Sequence, residues 1–299
     1  MSTCGDFGLG SGDMFGPLRQ TFRASHKVIV VDLHGHGRTP LGARSKISFV
    51  EQGNDLAVLL DKLGIAKVHV LGYSMGAAVA FRLAVQHPAK VDRLALVSMG
   101  FASDGFYPEM IPMQASVSGK MADMMKDTPM YKSYAAIAPN PGEFPKLLDA
   151  IGDAMRQSYN DAEDVKKLAV PTILIFGDSD MFRLEHVVEF YRLPGGGQKD
   201  AGWQREHMAK NRLRSCRTSP TTSSSWRPRW RPPRSRSSTT RRSRPAGTSR
   251  SGAAEPQTSN IKRSGASRRS LTATRNDTAS RPSTTRWSYD SATYIIGRT

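Results

Sequence analysis

Val68-His69-Val70-Leu71-Gly72-Tyr73-Ser74-Met75-Gly76-Ala77-Ala78-Val79-Ala80 is the stretch on which the fold of this chain turns. Val68 to Leu71 is a short apolar run, the pattern of a strand buried on both faces of a parallel sheet. Met75 to Gln86 is rich in small helix formers and is stopped by His87-Pro88, so it reads as a helix. Ser74 stands at the joint, with Gly72 and Gly76 two residues to either side. A sharp strand-to-helix turn needs residues without bulk at those places. It lifts the serine oxygen clear of the sheet and aims the helix N-terminus at it. The N–H of Met75 then faces the space where negative charge develops during acyl transfer.

Outward from this joint the same alternation continues. Lys27-Val28-Ile29-Val30-Val31-Asp32 reads as a strand, and Leu33-His34-Gly35-His36-Gly37-Arg38-Thr39 as a glycine-rich loop. Phe49 to Leu63 has helical spacing, with Leu56, Val58, Leu59, Leu60 and Leu63 apolar, and ends at Gly64. Val91 to Ser98 and Pro171 to Phe176 read as further strands. Strands alternating with helices imply parallel βαβ units. Between residues 101 and 167 the strand pattern stops. That segment reads as an inserted helical lid, with Met110, Met113, Met121, Met124, Met125, Met130 and Met155. Methionine adapts to irregular apolar space, whether in a core or against a ligand.

Three landmarks together carry a resemblance. They are Val30-Val31-Asp32-Leu33-His34-Gly35-His36-Gly37-Arg38-Thr39, Gly72-Tyr73-Ser74-Met75-Gly76 and Phe176-Gly177-Asp178-Ser179-Asp180. In this order and at these distances they look like the α/β-hydrolase family. Gly8-Leu9-Gly10-Ser11-Gly12-Asp13-Met14-Phe15 resembles the loop after that family's first core strand. The resemblance extends over about residues 5–213. It implies a doubly wound, mostly parallel sheet with its active site at the carboxyl edge of the strands. It makes Ser74 the nucleophile and the Met75 N–H an oxyanion donor, and it places the triad's acid after the strand ending at Phe176. Asp178 and Asp180 both stand there, and the family pattern favours Asp180. The second oxyanion donor falls in the region of Gly5, Asp6 and Phe7. Asp32 is expected to cap its loop, and Asp178 to serve turn hydrogen bonds. His34 and His36, separated by one glycine, have no further ligand cluster near them in sequence and belong to a structural turn of the family, so no metal is expected.

Charge divides the chain. Residues 1–213 hold 24 Lys+Arg against 23 Asp+Glu, so the formal net charge of +17 sits almost wholly in residues 214–299, which hold 19 against 3. That tail is dominated by Ser, Thr, Arg and Pro, has no hydrophobic periodicity, and is expected to be disordered. The domain reading is therefore a hydrolase core at 1–213 and a low-complexity tail at 214–299. The two cysteines, Cys4 and Cys216, define no disulfide framework. No signal peptide and no apolar run of membrane-spanning length is visible, so a cytoplasmic location is expected.

The family order requires a histidine after the acid. Only His186 and His207 follow Asp180, and neither sits in a short loop after an apolar strand. Arg217-Thr218-Ser219-Pro220-Thr221-Thr222-Ser223-Ser224-Ser225-Trp226 can be encoded CGG ACC TCA CCC ACT ACG AGC TCT TCG TGG. From the third base this reads Asp-Leu-Thr-His-Tyr-Glu-Leu-Phe-Val, with the histidine codon straddling Pro220 and Thr221. The tail also holds 18 Arg and one Lys, against 11 Arg and 13 Lys before it. Translation out of frame from a GC-rich gene yields that composition.

These readings lead to an α/β-hydrolase acting on an ester, lactone or related carbonyl substrate, without a cofactor. The substrate is a small molecule, apolar if the methionines face it. A serine at the turn argues against relatives that need a carboxylate nucleophile. The chain as written is expected to be inactive for want of its histidine. The alternative is a non-catalytic hydrolase fold whose basic tail binds nucleic acid non-specifically through phosphates. Oligomeric state is not legible.

Overall fold

The structure is a computed structural model that describes residues 11–217 and the backbone of residues 292–297. All of these belong to one of two compact units of the chain, made of residues 1–226 and 286–299. Its centre is a six-stranded sheet formed by β1 (Lys27–Val31), β2 (Val68–Tyr73), β3 (Val91–Val97), β4 (Thr172–Gly177), β5 (Arg212–Cys216) and β6 (Ala292–Gly297), in the order β1-β6-β2-β3-β4-β5. β2, β3, β4 and β5 pair in parallel, while β6 runs antiparallel to both of its neighbours.

Helices fill the crossovers. They are α1 (Gly16–Arg23), α2 (Phe49–Lys62) and α3 (Met75–Gln86), then α4 (Met110–Ser116), α5 (Ala122–Met125), α6 (Pro129–Ala135), α7 (Phe144–Arg156) and α8 (Ala162–Lys166), and finally α9 (Leu184–Arg192). The ends of α2 follow from its sequence. Ser48 Oγ accepts the N–H of Glu51 at the start. Gly64 takes φ +66° just past the end, where the Ile65 N–H reaches the Leu60 carbonyl.

Side chains of β2, β3 and β4 alternate between two environments. Val68, Val70, Leu94, Leu96, Leu174 and Phe176 are buried with Leu56 and Leu60 of α2, Val79 and Leu83 of α3, and Phe190 of α9. On the other face Leu71 packs with Val28, Val30 and Phe22 of α1. Helices therefore cover both faces, as the doubly wound reading expects. α4 to α8 lie between β3 and β4, within residues 101–167. Both ends of this insertion are tied together. The Ser103 N–H donates to the Tyr159 carbonyl, the Tyr159 N–H to Ser103 Oγ at 2.7 Å, and the Asp161 N–H to the Phe101 carbonyl at 2.7 Å.

Two strands reach beyond residue 213. β5 runs on to Cys216, and residues 292–297, within the low-complexity tail, form a strand inside the sheet. Thr293, Tyr294, Ile295 and Ile296 are β-branched or aromatic, a local strand signal hidden by the Arg/Ser average of the tail. β1 and β2 do not pair with each other, so each would leave a row of backbone groups without partners. β6 meets both rows, through five paired positions on each side. β5, at the sheet edge, is largely exposed and carries Arg212 and Arg214, charges suited to an unpaired edge. The tail at 218–291 and the N-terminal Gly5, Asp6 and Phe7 lie outside the described residues.

Candidate active site

Ser74 sits between β2 and α3 with φ +51° and ψ −123°, a conformation that L-residues rarely adopt. Its neighbours explain how the turn is built. A Cβ on Gly72 would stand 2.3 Å from the Gly76 carbonyl oxygen and 2.5 Å from Cα of Ala77. Only glycine lets the end of β2 pass this close to the first turn of α3. The Ser74 N–H donates to the Val97 carbonyl at 2.9 Å, which ties the turn to the end of β3. Met75 is the first residue of α3, and no side chain caps that end. A helix start of this kind is a region of positive potential. Such strain persists where surrounding packing over-determines it, and it gathers at functional sites.

Asp180 lies after β4, as the sequence reading places it. Its Oδ1 accepts the Ser98 hydroxyl at 2.8 Å and the Met181 N–H at 2.8 Å, and its Oδ2 accepts the Gly177 N–H at 3.0 Å. Three donors from two loops fix this carboxylate. Ser98 was not singled out by sequence. It directly follows β3 with φ +52°, held by an N–H bond to the Ile175 carbonyl. Its only sequence signal is its place at a strand's carboxyl end, beside the strand that leads into Ser74. Asp178 donates its N–H to the Cys216 carbonyl at 2.9 Å, so the end of β5 lies against the acid loop.

A cavity of about 590 Å³ opens on Ser74, and Met75 and Ser98 also line it. Three helices each contribute one stripe. α3 presents Met75, Ala78 and Arg82, α4 presents Ile111, Gln114 and Ala115, and α7 presents Ile151, Ala154 and Met155. Spacings of three and four residues put each set on one helix face. Phe106, Met181 and Phe182 close it from the loops. Of the seven methionines of the insertion, only Met155 lines this cavity. Met110, Met125 and Met130 are buried, Met125 and Met130 in a cluster that also takes in Leu41, Ile47 and Met75, and Met124 is exposed.

The histidines take other roles. His186, in the first turn of α9, is buried and accepts the Phe101 N–H at Nε2 (3.1 Å). Its ring stacks on Phe101 with centroids 4.1 Å apart, and burial pushes its pKa down to about 4. It anchors the start of the insertion. His207 is exposed. His34 Nε2 lies 2.9 Å from the Arg44 carbonyl and His36 Nδ1 2.9 Å from the His34 carbonyl, so the loop's own backbone engages both rings. Asp32 accepts the N–H groups of Gly12 (2.8 Å) and Arg38 (3.0 Å), which caps the glycine-rich loop. No cluster of metal-ligating side chains occurs among the described residues. Nor is any helix among them long and apolar enough to cross a membrane.

A mostly parallel sheet with a strained serine between strand and helix, beside a cavity, defines an α/β protein of hydrolase architecture. Residues 8–127, under half of the chain, match the profile described as alpha/beta hydrolase fold, and the chain has that fold. It is similar to the putative carbamate hydrolase RutD of Caulobacter sp. (strain K31), 30% identical over 89 residues, which cover 30% of this chain and 33% of the relative. The putative carbamate hydrolase RutD of Azorhizobium caulinodans is 34% identical over 102 residues, 33% of this chain and 37% of the relative. The dihydrolipoyllysine-residue acetyltransferase component of the acetoin cleaving system of Pseudomonas putida is 28% identical over 176 residues, 52% of this chain and 45% of the relative. The matches thus span from about a third to under half of the length of these relatives. Among solved structures, NosK from Streptomyces actuosus aligns with 72% of this chain and 86% of its own at 20% identity and a TM-score of 0.49.

Proposed function

We propose that this chain derives from a serine hydrolase that cleaves an ester, lactone or related carbonyl compound through an acyl-enzyme. The observation that carries this reading is the strained, nearly buried Ser74 at the mouth of α3, opening on the cavity. Ser74 Oγ attacks the carbonyl carbon, and the Met75 N–H stabilises the resulting oxyanion. Asp180 orients the histidine that takes the serine proton and returns it to the leaving group. The helical insertion α4 to α8 acts as the lid, since α4 and α7 form the cavity's outer wall.

The histidine is the part that the described residues do not provide. β5 ends at Cys216 against the Asp178 N–H, two residues before Asp180, so the chain leaves the sheet beside the acid. The Pro220–Thr221 junction, where the shifted frame reads histidine, follows four residues later and lies outside the described residues. This supports the out-of-frame reading and a near-inactive chain as written. Proteins that lose the triad histidine retain only the help of the oxyanion hole and of substrate binding.

Hydrolysis of p-nitrophenyl acetate tests both statements. The chain as written is expected to be near background. A chain in which residues 217–225 read Asp-Leu-Thr-His-Tyr-Glu-Leu-Phe-Val, with the shifted frame continued, is expected to gain about 10³-fold or more, lost again on Ser74→Ala. A restored chain whose rate does not respond to Ser74→Ala refutes the nucleophile assignment.

A further inference from the structure

We propose that the cavity is a channel for an uncharged acyl group of medium length, and that Ala78 sets the length it accepts. This rests on the reading of Ser74 as the acyl-accepting group. From Met75, next to Ser74, the channel follows one face of α3 through Ala78 to Arg82. Seven residues of helix span about 10 Å. With C–C bonds of about 1.5 Å in a zigzag, that matches a chain of about eight carbons. Ala78 stands midway and offers only a methyl group, so the passage stays open there. Ile151, Ala154 and Met155 of α7 face it from the opposite wall.

The charges of Arg82, Asp161 and Arg156 along this channel are already paired. Arg82, at its far end, donates to Asp161 at 2.5 Å and to Asp164 at 2.7 Å. Arg156 donates to the carbonyls of Ala115 and Val117 and to Asp153. Lys46 and Glu51 are exposed residues of the rim. A carboxylate or ammonium group carried down the channel would lose its water without meeting a free counter-charge. A methylene chain loses nothing by the same transfer, and each buried methylene is worth about fourfold in affinity.

The test is calorimetric binding to the full chain, with ketones standing in for the ester so that no turnover intervenes. 2-Decanone is expected to bind about tenfold or more tighter than 2-hexanone and than 9-oxodecanoate, a methyl ketone whose far end carries a carboxylate. Ala78→Met is expected to bring the decanone-to-hexanone ratio within about twofold, with Ala78→Val between. Circular dichroism checks folding. Should Ala78→Met not fold, Ala78→Val and, from the facing wall, Ala154→Leu carry the same test. An unchanged ratio in the folded variants overturns the proposal, as does 9-oxodecanoate binding equal to that of 2-decanone, or no ketone binding. The two readings fail separately. A frame-restored chain that hydrolyses p-nitrophenyl acetate through Ser74 but shows no chain-length preference refutes the channel alone. A chain-length preference responding to Ala78, beside hydrolysis indifferent to Ser74→Ala, supports the channel and refutes the nucleophile.

Discussion

At Gly72 a single added methyl group would collide with the backbone of Gly76 and Ala77, atoms that no side-chain rotation can move. Gly72→Ala is therefore expected to cost about 1–3 kcal/mol or more, read as a lower urea midpoint. The strain at Ser74 depends on that contact, so the same variant should lose the elbow before it loses the sheet. The His186 ring accepts the Phe101 N–H at Nε2 and is buried, so the folded chain resists protonating it until pH falls to about 4. The unfolded chain takes up that proton near pH 6.5. The stability that the neutral ring contributes is whole above pH 6.5, declines as pH drops through that window and levels off below about 4. The full loss is about 3 kcal/mol. Urea melts at pH 7 and pH 4.5 should show a smaller acid loss for His186→Gln than for the parent chain. Equal losses in the two proteins would count against this account.

Among the elements, β6 joins the sheet by a different route from the others. It returns from far along the sequence and enters antiparallel between β1 and β2, with ten paired positions in all. At about 0.2–1 kcal/mol for each cross-strand pair, removing it should cost several kcal/mol. It should also expose two backbone edges prone to pairing with other chains. Deleting residues 292–299 is thus expected to lower the urea midpoint and to increase aggregation, followed by light scattering. Ile295→Pro, which removes a ladder donor and distorts the strand, should act in the same direction. α3 and α8 are joined by Arg82, which holds Asp161 and Asp164 together. Burial pushes the Asp161 pKa up, against the pull of Arg82. Arg82→Met leaves two neighbouring carboxylates without their cation, whereas Asp161→Asn leaves Arg82 still paired with Asp164. The arginine variant should therefore be the less stable of the two.

For the whole molecule, charge is the property that divides the chain. The core to residue 213 is close to neutral, while the remainder carries nearly all of the net +17. Full-length protein is expected to retard duplex DNA in a gel at 50 mM salt. That affinity should fall by about 10³-fold or more at 200 mM if six or more phosphates are engaged. Protein ending at residue 213 should not bind at either salt concentration, although loss of β5 and β6 will lower its stability. Retardation that persists in the shortened protein, or that ignores salt, would remove the tail as its cause.

The strand-to-helix turn at Ser74, the succession of β1 to β4 along the chain and the helices between them are legible from the residues alone. These are local matters, set by apolar runs, by glycines with no room for a side chain and by helix stops within a few residues. The sequence also placed Asp180 after β4, through a motif carried on the next loop. Tertiary structure alone decided the rest. Ser98 reaches Asp180 across 82 residues of sequence, and His186 accepts an N–H across 85, distances at which residue type carries no signal of contact. Met125 and Met130 of the insertion turned inward to a core shared with Leu41 and Ile47, because neighbours from other segments, not spacing, settle which face is wet. The place of β6 was decided the same way. Its short β-prone run could pair with any exposed edge, and only the open slot between β1 and β2 gave both of its sides a partner.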